Sequence, residues 1–130
     1  MNRIYLDNNA TTRPLPEVVD AVQQGLELCW ANPSSIHRAG QEARQRIDRA
    51  RESVAALVGA KTSDITFTSG GTEAANLAIL AALRARAPRR LVVTSAVEHP
   101  AVGELLETLR SRADIEPVKV ENDEDGVVSA

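Results

Sequence analysis

The second half of the chain alternates short apolar runs with helical patterns, and this alternation limits its fold more than any other feature. Apolar runs at residues 65–67, 91–93 and 115–120 are separated by two helical patterns at residues 72–86 and 100–112. A strand-helix-strand-helix-strand order favours right-handed crossovers between parallel strands. The sequence therefore predicts an α/β fold, with a parallel-rich sheet and flanking helices.

Two amphipathic helices are predicted before the first apolar run. Pro14 and Pro16 mark the start of one helix, which is expected to end near Trp30. The other runs from about His37 to Val58, with Gly59 as its C-terminal stop. Each helix carries apolar side chains at steps of three and four residues, so each should bury one stripe. The expected stripes are Leu15, Val18, Val19, Val22 and Leu26 in the first helix, and Ala39, Ala43, Ile47, Ala50, Val54, Leu57 and Val58 in the second.

The composition excludes several classes of binding protein. Hydrophobic residues make up 43% of the 130 residues but aromatic residues only 2%, so the core must be aliphatic and stacking on single-stranded nucleic acid is excluded. The net charge of −3 offers no basic surface for nucleic acid or an anionic membrane. The acidic run at residues 121–125 is interpreted as a solvated turn.

The chain also lacks the sequence signals of export. Its first residues contain no apolar signal-peptide region, and no apolar run approaches the length of a membrane span. The single cysteine, Cys29, cannot form an internal disulfide, which suits a reducing cytoplasm. We therefore predict a cytoplasmic protein without membrane contact, and no metal site.

A candidate phosphate site follows the first predicted strand. Residues 68–73 read Thr-Ser-Gly-Gly-Thr-Glu and open a helix. Glycines let the backbone close on a ligand, and a helix N-terminus offers free N–H groups and positive dipole. The hydroxyls of Thr68, Ser69 and Thr72 would add donors. The alternative is an ordinary turn between strand and helix, with Thr72 as N-cap and Glu73 in the first turn.

A histidine follows the next predicted strand, in Val-Glu-His-Pro at residues 97–100. Loops after successive parallel strands open on the same edge of the sheet, where ligands collect. His99 is therefore expected near whatever Gly70 and Gly71 hold, with a neutral ring suited to stacking on a heteroaromatic ring. The alternative is that His99 only caps the helix that starts at Pro100.

Two further segments complete a recognisable pattern. Residues 5–12 read Tyr-Leu-Asp-Asn-Asn-Ala-Thr-Thr, and residues 32–37 read Asn-Pro-Ser-Ser-Ile-His. Singly, they indicate only a polar arm and a loop. Together with the segments at residues 68–73 and 97–100, in this order and at these separations, they closely resemble cysteine desulfurases of the class V aminotransferase family.

The resemblance implies the start of the large domain of a pyridoxal-phosphate (PLP) enzyme of fold type I, working as a homodimer. Residues 1–13 would form an N-terminal arm, and residues 14–130 the first part of the PLP-binding domain. The enzyme would convert L-cysteine to L-alanine and pass the sulfur, as a persulfide, to an acceptor or iron–sulfur scaffold protein. By motif, the cofactor-binding residues would be Gly70, Gly71, Thr72 and His99, and the substrate side of the pocket would include Asn8, Ala10, Thr11, Asn32 and Ser34.

The family also needs a Schiff-base lysine and a sulfur-accepting cysteine. Lys61 and Lys119 lie outside the expected motif and are interpreted as surface residues, while Cys29 is interpreted as a small buried hydrophobe. We therefore expect the chain to stop before the Schiff-base lysine and to be inactive alone. A related enzyme such as a selenocysteine lyase, a non-catalytic phosphate-binding or dimerisation module, and half of a split enzyme are the alternatives.

Overall fold

The computed structural model describes residues 4–128 and divides the chain into two compact units, with the boundary between Thr66 and Phe67. Residues 1–3 of the predicted arm and residues 129–130 lie outside the described part. The first unit contains α1 (Pro16–Leu28), α2 (Arg38–Val58) and a 3₁₀ turn (Thr62–Asp64). The second unit contains α3 (Gly71–Ala85), β1 (Leu91–Ser95), α4 (Pro100–Ser111) and β2 (Glu116–Val120).

The two strands of the second unit are parallel and joined by α4. Leu91 pairs with Glu116 at one end of the ladder, and Ser95 pairs with Val120 at the other. A parallel pair needs a crossover connection between its strands, and α4 supplies it. The prediction of an α/β fold with a parallel sheet and flanking helices is confirmed.

The prediction of a third strand at residues 65–67 was wrong. Within residues 4–128 the sheet has two strands, β1 and β2. Ile65 is extended, but its carbonyl oxygen accepts a hydrogen bond from the guanidinium of Arg51 on α2. The apolar run correctly indicates an extended backbone, but it cannot show whether a neighbouring strand completes a ladder.

The other predicted elements agree with the structure to within two residues at most ends. Gly59 ends α2 as predicted: it adopts a left-handed conformation with φ of 66°, and the N–H of Ala60 bonds the carbonyl of Ala55 at 2.9 Å. Helix α1 ends at Leu28, two residues before Trp30. Local capping and proline signals therefore determine most of these boundaries.

Both histidines of the chain are helix N-caps. Nδ1 of His37 accepts the N–H of Gly40 at 3.2 Å at the start of α2. Nδ1 of His99 accepts the N–H of Ala101 at 3.1 Å at the start of α4. His99 therefore does cap the helix that starts at Pro100, the role given as the alternative to ligand binding. In each ring the nitrogen that accepts the bond carries no proton, which leaves Nε2 to carry it in the neutral imidazole.

The core of the second unit is aliphatic, as the composition predicts. Leu106, Leu109 and Ile115 are buried. The partly buried side chains packed against them are Ile79, Leu83, Val92, Val102 and Leu105, from α3, β1 and α4. Full burial of a side chain of this size stabilises a fold by roughly 1.5–3 kcal/mol. The cluster therefore fixes α3 and α4 on the side of the sheet that carries Val92.

The predicted burial of the α1 and α2 stripes was wrong for most of their residues. Ala43 is buried, but the whole α1 stripe is exposed, with Leu26 at 73%. On α2, Leu57 is 85% exposed. Periodicity shows which face of a helix is apolar, but a stripe is buried only where another element packs against it. Within residues 4–66, α1 packs against no other element and α2 packs only against the 3₁₀ turn, so most of both stripes is left uncovered.

The acidic run forms a solvated turn, as predicted. The Asp123 carboxylate accepts the N–H groups of Asp125 at 3.0 Å and Val127 at 2.8 Å, and Asn122 forms an antiparallel bridge with Val128. All four acidic side chains of the run are exposed.

Within residues 4–128, no helix combines the length and the apolar character needed to cross a membrane.

Candidate functional site

A cleft of about 410 Å³ opens between the start of α3 and the start of α4. Its lining residues are Gly71, Thr72, Ala75, His99, Ala101 and Val102. Gly70, the N-cap of α3, directly precedes them. The fold thus brings together the residues of two sequence motifs that lie almost thirty positions apart. The carboxyl end of β1 leads into the loop that carries His99, which is the sheet edge expected for a ligand.

The start of α3 presents free hydrogen-bond donors. The N–H groups of Gly71, Thr72 and Glu73 have no acceptor among the described residues, and the first helical bond runs from Ala74 N–H to the carbonyl of Gly70 at 3.0 Å. The expected alternative with Thr72 as N-cap was wrong, because Gly70 occupies that position and has no capping side chain. Unsatisfied N–H groups and the helix dipole make this end suitable for an anion.

Two of the three hydroxyls expected to serve as ligand donors are used inside the turn. Ser69 Oγ donates to Glu73 Oε2 at 2.6 Å, and Thr68 Oγ1 donates to the carbonyl of Gly70 at 3.1 Å. The Thr72 hydroxyl has no partner in the described part of the chain and lines the cleft. A capping box spaces its serine and glutamate three residues apart, whereas Ser69 and Glu73 are four apart, so no standard sequence signal indicates this contact.

Glu73 is ionised more readily than an ordinary glutamate. The Ser69 hydroxyl, followed by the Ser69 backbone N–H at 2.6 Å, holds the pKa of its carboxyl below the usual value of 4.5. Hydrogen bonds to the charged form of a carboxylate favour that form. The helix start therefore carries a carboxylate at neutral pH, although the carboxylate is directed at the turn.

The two glycines leave the helix start open. A Cβ added to either Gly70 or Gly71 would meet no other atom within 4 Å, so neither glycine is required by packing within the described residues. The donor set of backbone N–H groups and one hydroxyl suits a phosphate held without a lysine. These residues therefore fit the phosphate group of PLP, and the adjacent imidazole of His99 fits its pyridine ring.

The orientation of the His99 ring is fixed by contacts of residues just before and just after it in the chain. Its Nδ1 is bonded to Ala101 N–H, and Pro100 restricts the start of α4. Glu98 accepts a hydrogen bond from Ser95 Oγ at 3.0 Å, which fastens the loop to the end of β1. Nε2 has no partner among the described residues. The ring is therefore oriented before any ligand binds.

The residues predicted for the substrate side lie in the first unit. Asn8, Ala10 and Thr11 are exposed, in a turn where Ala10 N–H bonds the Asp7 carbonyl at 3.2 Å. In the other segment, Asn32 Oδ1 accepts the N–H of Ser34 at 2.9 Å. Both segments are ordered by their own local hydrogen bonds. Their contact with a substrate stays a prediction.

Gly40 supports the Asn-Pro-Ser-Ser loop, and sequence reasoning missed it. A Cβ at Gly40 would lie 2.6 Å from the carbonyl oxygen of Ser35 and 2.7 Å from that of Asn32. Only glycine therefore allows this loop to approach the first turn of α2 so closely. A glycine inside a helical pattern was the signal, because it often marks close backbone approach.

The candidate reactive side chains lie elsewhere. Lys61 and Lys119 are exposed, as predicted, and neither lines the cleft. Lys119 faces a separate hollow lined also by Glu98 and Glu107. Cys29 is a free thiol that is half-buried rather than buried, because the gap between α1 and α2 beside it is not filled. The described cleft therefore contains neither an amine nor a thiol.

Comparisons with known proteins point to one family. The profile of the family described as Aminotransferase class-V matches residues 4–130. A cysteine desulfurase of Trichormus azollae is 53% identical over 102 residues, which are 78% of this chain and 26% of that protein. A cysteine desulfurase of Cereibacter sphaeroides is 45% identical over 127 residues, covering 97% of this chain and 33% of the relative. Cysteine desulfurase NifS of Azotobacter vinelandii is 46% identical over 112 residues, covering 85% and 28%.

Solved structures show the same relationship. A NifS-like protein superposes with a TM-score of 0.89 and 35% identity, covering 98% of this chain and 35% of the other. The apo structure of a cysteine desulfurase from Thermococcus onnurineus NA1 gives a TM-score of 0.83 and 28% identity, covering 97% and 32%. The chain thus spans about a quarter to a third of the length of the proteins it matches.

Proposed function

Because the chain belongs to the aminotransferase class V family, we propose that it is the N-terminal part of a PLP-dependent cysteine desulfurase. The observation that carries this proposal is the cleft that joins the free N–H groups of α3 to the ring of His99. A phosphate at one end and a heteroaromatic ring at the other are the two features of PLP that such a cleft would recognise.

Each cleft residue would have a distinct part in binding. The N–H groups of Gly71 and Thr72 and the Thr72 hydroxyl would donate to the phosphate, and Gly70 would leave room for its approach. His99 would stack on the pyridine ring, with its orientation set by the bond to Ala101. When bound, PLP supplies an electron sink for bond cleavage at an amino acid.

The proposed reaction takes L-cysteine to L-alanine. The carbon–sulfur bond of L-cysteine would break with its electron pair left on carbon, which takes up the proton that an enzyme thiol loses. The sulfur of that thiol would bond to the substrate sulfur, and the resulting persulfide would pass the sulfur to an acceptor or iron–sulfur scaffold protein. Asn8, Ala10, Thr11, Asn32 and Ser34 would line the substrate side. The cleft described here contains no lysine and no cysteine, so both reactive groups would come from further polypeptide. We place the working enzyme in the cytoplasm as a homodimer.

The test is a titration of the purified chain with PLP and, separately, with pyridoxal, which lacks the phosphate. Calorimetry should show binding of PLP and at least about tenfold weaker binding of pyridoxal, because charge-assisted bonds to phosphate are the strong ones. Thr72→Val should weaken PLP binding about threefold to tenfold, the size of one lost hydrogen bond to a charged group.

The matched control is Thr108→Val, which removes a threonine hydroxyl from α4 outside the cleft. It should leave PLP binding unchanged. Equal binding of PLP and pyridoxal, or no binding of PLP, would contradict the proposed phosphate site.

A further inference from the structure

A carboxylate next to a proposed anion site needs an explanation. Glu73 is the third residue of α3, in the same turn that offers free N–H groups to the phosphate. A negative charge there competes for the positive end of the helix and repels a second anion. Nothing in the proposed binding of PLP uses this side chain.

The carboxylate is turned back onto the loop before the helix. Its Oε2 accepts both the backbone N–H and the hydroxyl of Ser69, each at 2.6 Å. In a capping box, the third helical residue bonds the N–H of the N-cap itself. Here the N-cap is Gly70, so the bond reaches one residue further and closes residues 69–73 into a ring.

That ring encloses the two glycines, which are the least constrained part of the site. Glycine loses more backbone freedom on ordering than any other residue. No side chain caps Gly70, and a Cβ at either glycine would have open space around it. Besides the Thr68 hydroxyl on the Gly70 carbonyl, the two bonds of Glu73 are the side-chain contacts that hold this turn among the described residues.

We infer that Glu73 is a positioning residue of the cofactor site: by binding Ser69 through both its N–H and its hydroxyl, it holds the Gly70–Gly71 turn in the form that binds phosphate. The free N–H groups of residues 71–73 then converge before the ligand arrives. The same contact occupies the Ser69 hydroxyl, so this hydroxyl does not serve the phosphate. The inference rests on the proposed function, since the ligand in question is PLP.

The test compares Glu73→Ala with Glu73→Gln. Glutamine keeps an oxygen that can accept both Ser69 donors but removes the charge, whereas alanine removes the contact. Glu73→Ala should weaken PLP binding about tenfold, as expected for the loss of a helix-capping contact. Glu73→Gln should bind PLP at least as tightly as the natural chain, because the contact remains and the repulsion is gone.

A second measurement follows the turn without any ligand. Amide hydrogen exchange of Ser69, whose N–H is bonded to Glu73, should become about tenfold faster in Glu73→Ala and return to the natural rate in Glu73→Gln, as read by NMR. The control is Glu17→Ala, which removes the first-turn acid of α1, a residue that makes no side-chain hydrogen bond among those described. It should change neither PLP binding nor exchange of the turn.

The outcomes separate the two proposals. If the natural chain binds PLP and Glu73→Ala binds it equally well, the inference is overturned while the proposed function stands. If Glu73→Gln is as weak as Glu73→Ala, the charge rather than the contact matters, and the inference is again overturned. If the natural chain does not bind PLP, the proposed function fails, and the inference fails with it.

Discussion

At the scale of single residues, His99 both caps a helix and lines the cleft. Its Nδ1 caps α4 through Ala101, and its ring lines the cleft beside Thr72. The sequence motif indicated both tasks as alternatives, and the structure shows that one does not exclude the other. Because the cap uses only one ring nitrogen, a substitution that keeps an acceptor at this position can remove the ring and keep the cap.

His99→Asn makes this separation. Asparagine is a preferred N-cap and can accept the Ala101 N–H, so the free energy of unfolding should change by less than about 0.5 kcal/mol. PLP affinity should fall by about threefold to tenfold, because an aromatic contact contributes roughly 0.5–1.5 kcal/mol. Urea unfolding and calorimetric titration measure the two quantities.

His37→Asn is the matched control, since His37 caps α2 in the same way but does not line the cleft. It should leave PLP affinity unchanged. An unchanged affinity in His99→Asn as well would show that the ring makes no useful contact with the cofactor.

At the scale of the elements, helices α2 and α4 end in the same conformation with different residues. Gly59 after α2 has a φ of 66°, and Ala113 after α4 has a φ of 57°. In α4 the N–H of Asp114 bonds the carbonyl of Leu109 at 3.0 Å, the pattern of a Schellman motif. A left-handed backbone is costly for alanine and easy for glycine. The end of α4 is therefore strained where the end of α2 is not.

Two opposite substitutions test this difference. Ala113→Gly should raise the free energy of unfolding by about 1 kcal/mol, and Gly59→Ala should lower it by about the same amount. The space around Gly59 is open and Ala113 is exposed, so backbone conformation is the main difference in both cases. Urea unfolding, followed by NMR signals from each unit, checks both values. A loss of stability in Ala113→Gly would contradict the left-handed conformation there.

Local signals at the elements explain how much of the fold and site the sequence could predict. The start at Pro16 and the stop at Gly59 depend on residues within one turn, and both were predicted correctly. The strand at residues 65–67 depends on a distant neighbour, so its apolar run was insufficient. The expected nearness of Thr72 and His99 is observed, although the prediction assumed a sheet strand at residues 65–67 that the structure does not form. The hydrogen bonds that Ser69 donates to Glu73 could not be predicted from the sequence, because they depend on side-chain geometry.

At the scale of the whole molecule, little apolar surface is removed from water. The buried hydrophobic residues among those described are Ala43, Ala55, Leu106, Leu109 and Ile115. Large apolar side chains such as Val93, at 63% exposure, remain open to solvent. The relatives that this sequence resembles are about three times as long. Among the described residues, the elements within each unit therefore leave many large apolar side chains uncovered.

Because many apolar side chains are exposed, calorimetry of the isolated chain should measure a low enthalpy of unfolding. Globular proteins unfold with an enthalpy of about 0.7 kcal/mol per residue near 60 °C, and this chain should fall below about half of that value. It should also bind the dye ANS, which reports exposed apolar surface. A full unfolding enthalpy at a concentration where the chain is monomeric would contradict this expectation.

Because both histidines cap helices through Nδ1, their NMR signals can report on the folding of the two units. His37 belongs to the first unit and His99 to the second, and both accept a hydrogen bond at Nδ1. With ¹⁵N-labelled histidine, the sample has two imidazole spin systems, and each Nδ1 chemical shift records whether its helix start is intact. One isotope label, introduced without any mutation, can therefore follow the melting of each unit separately.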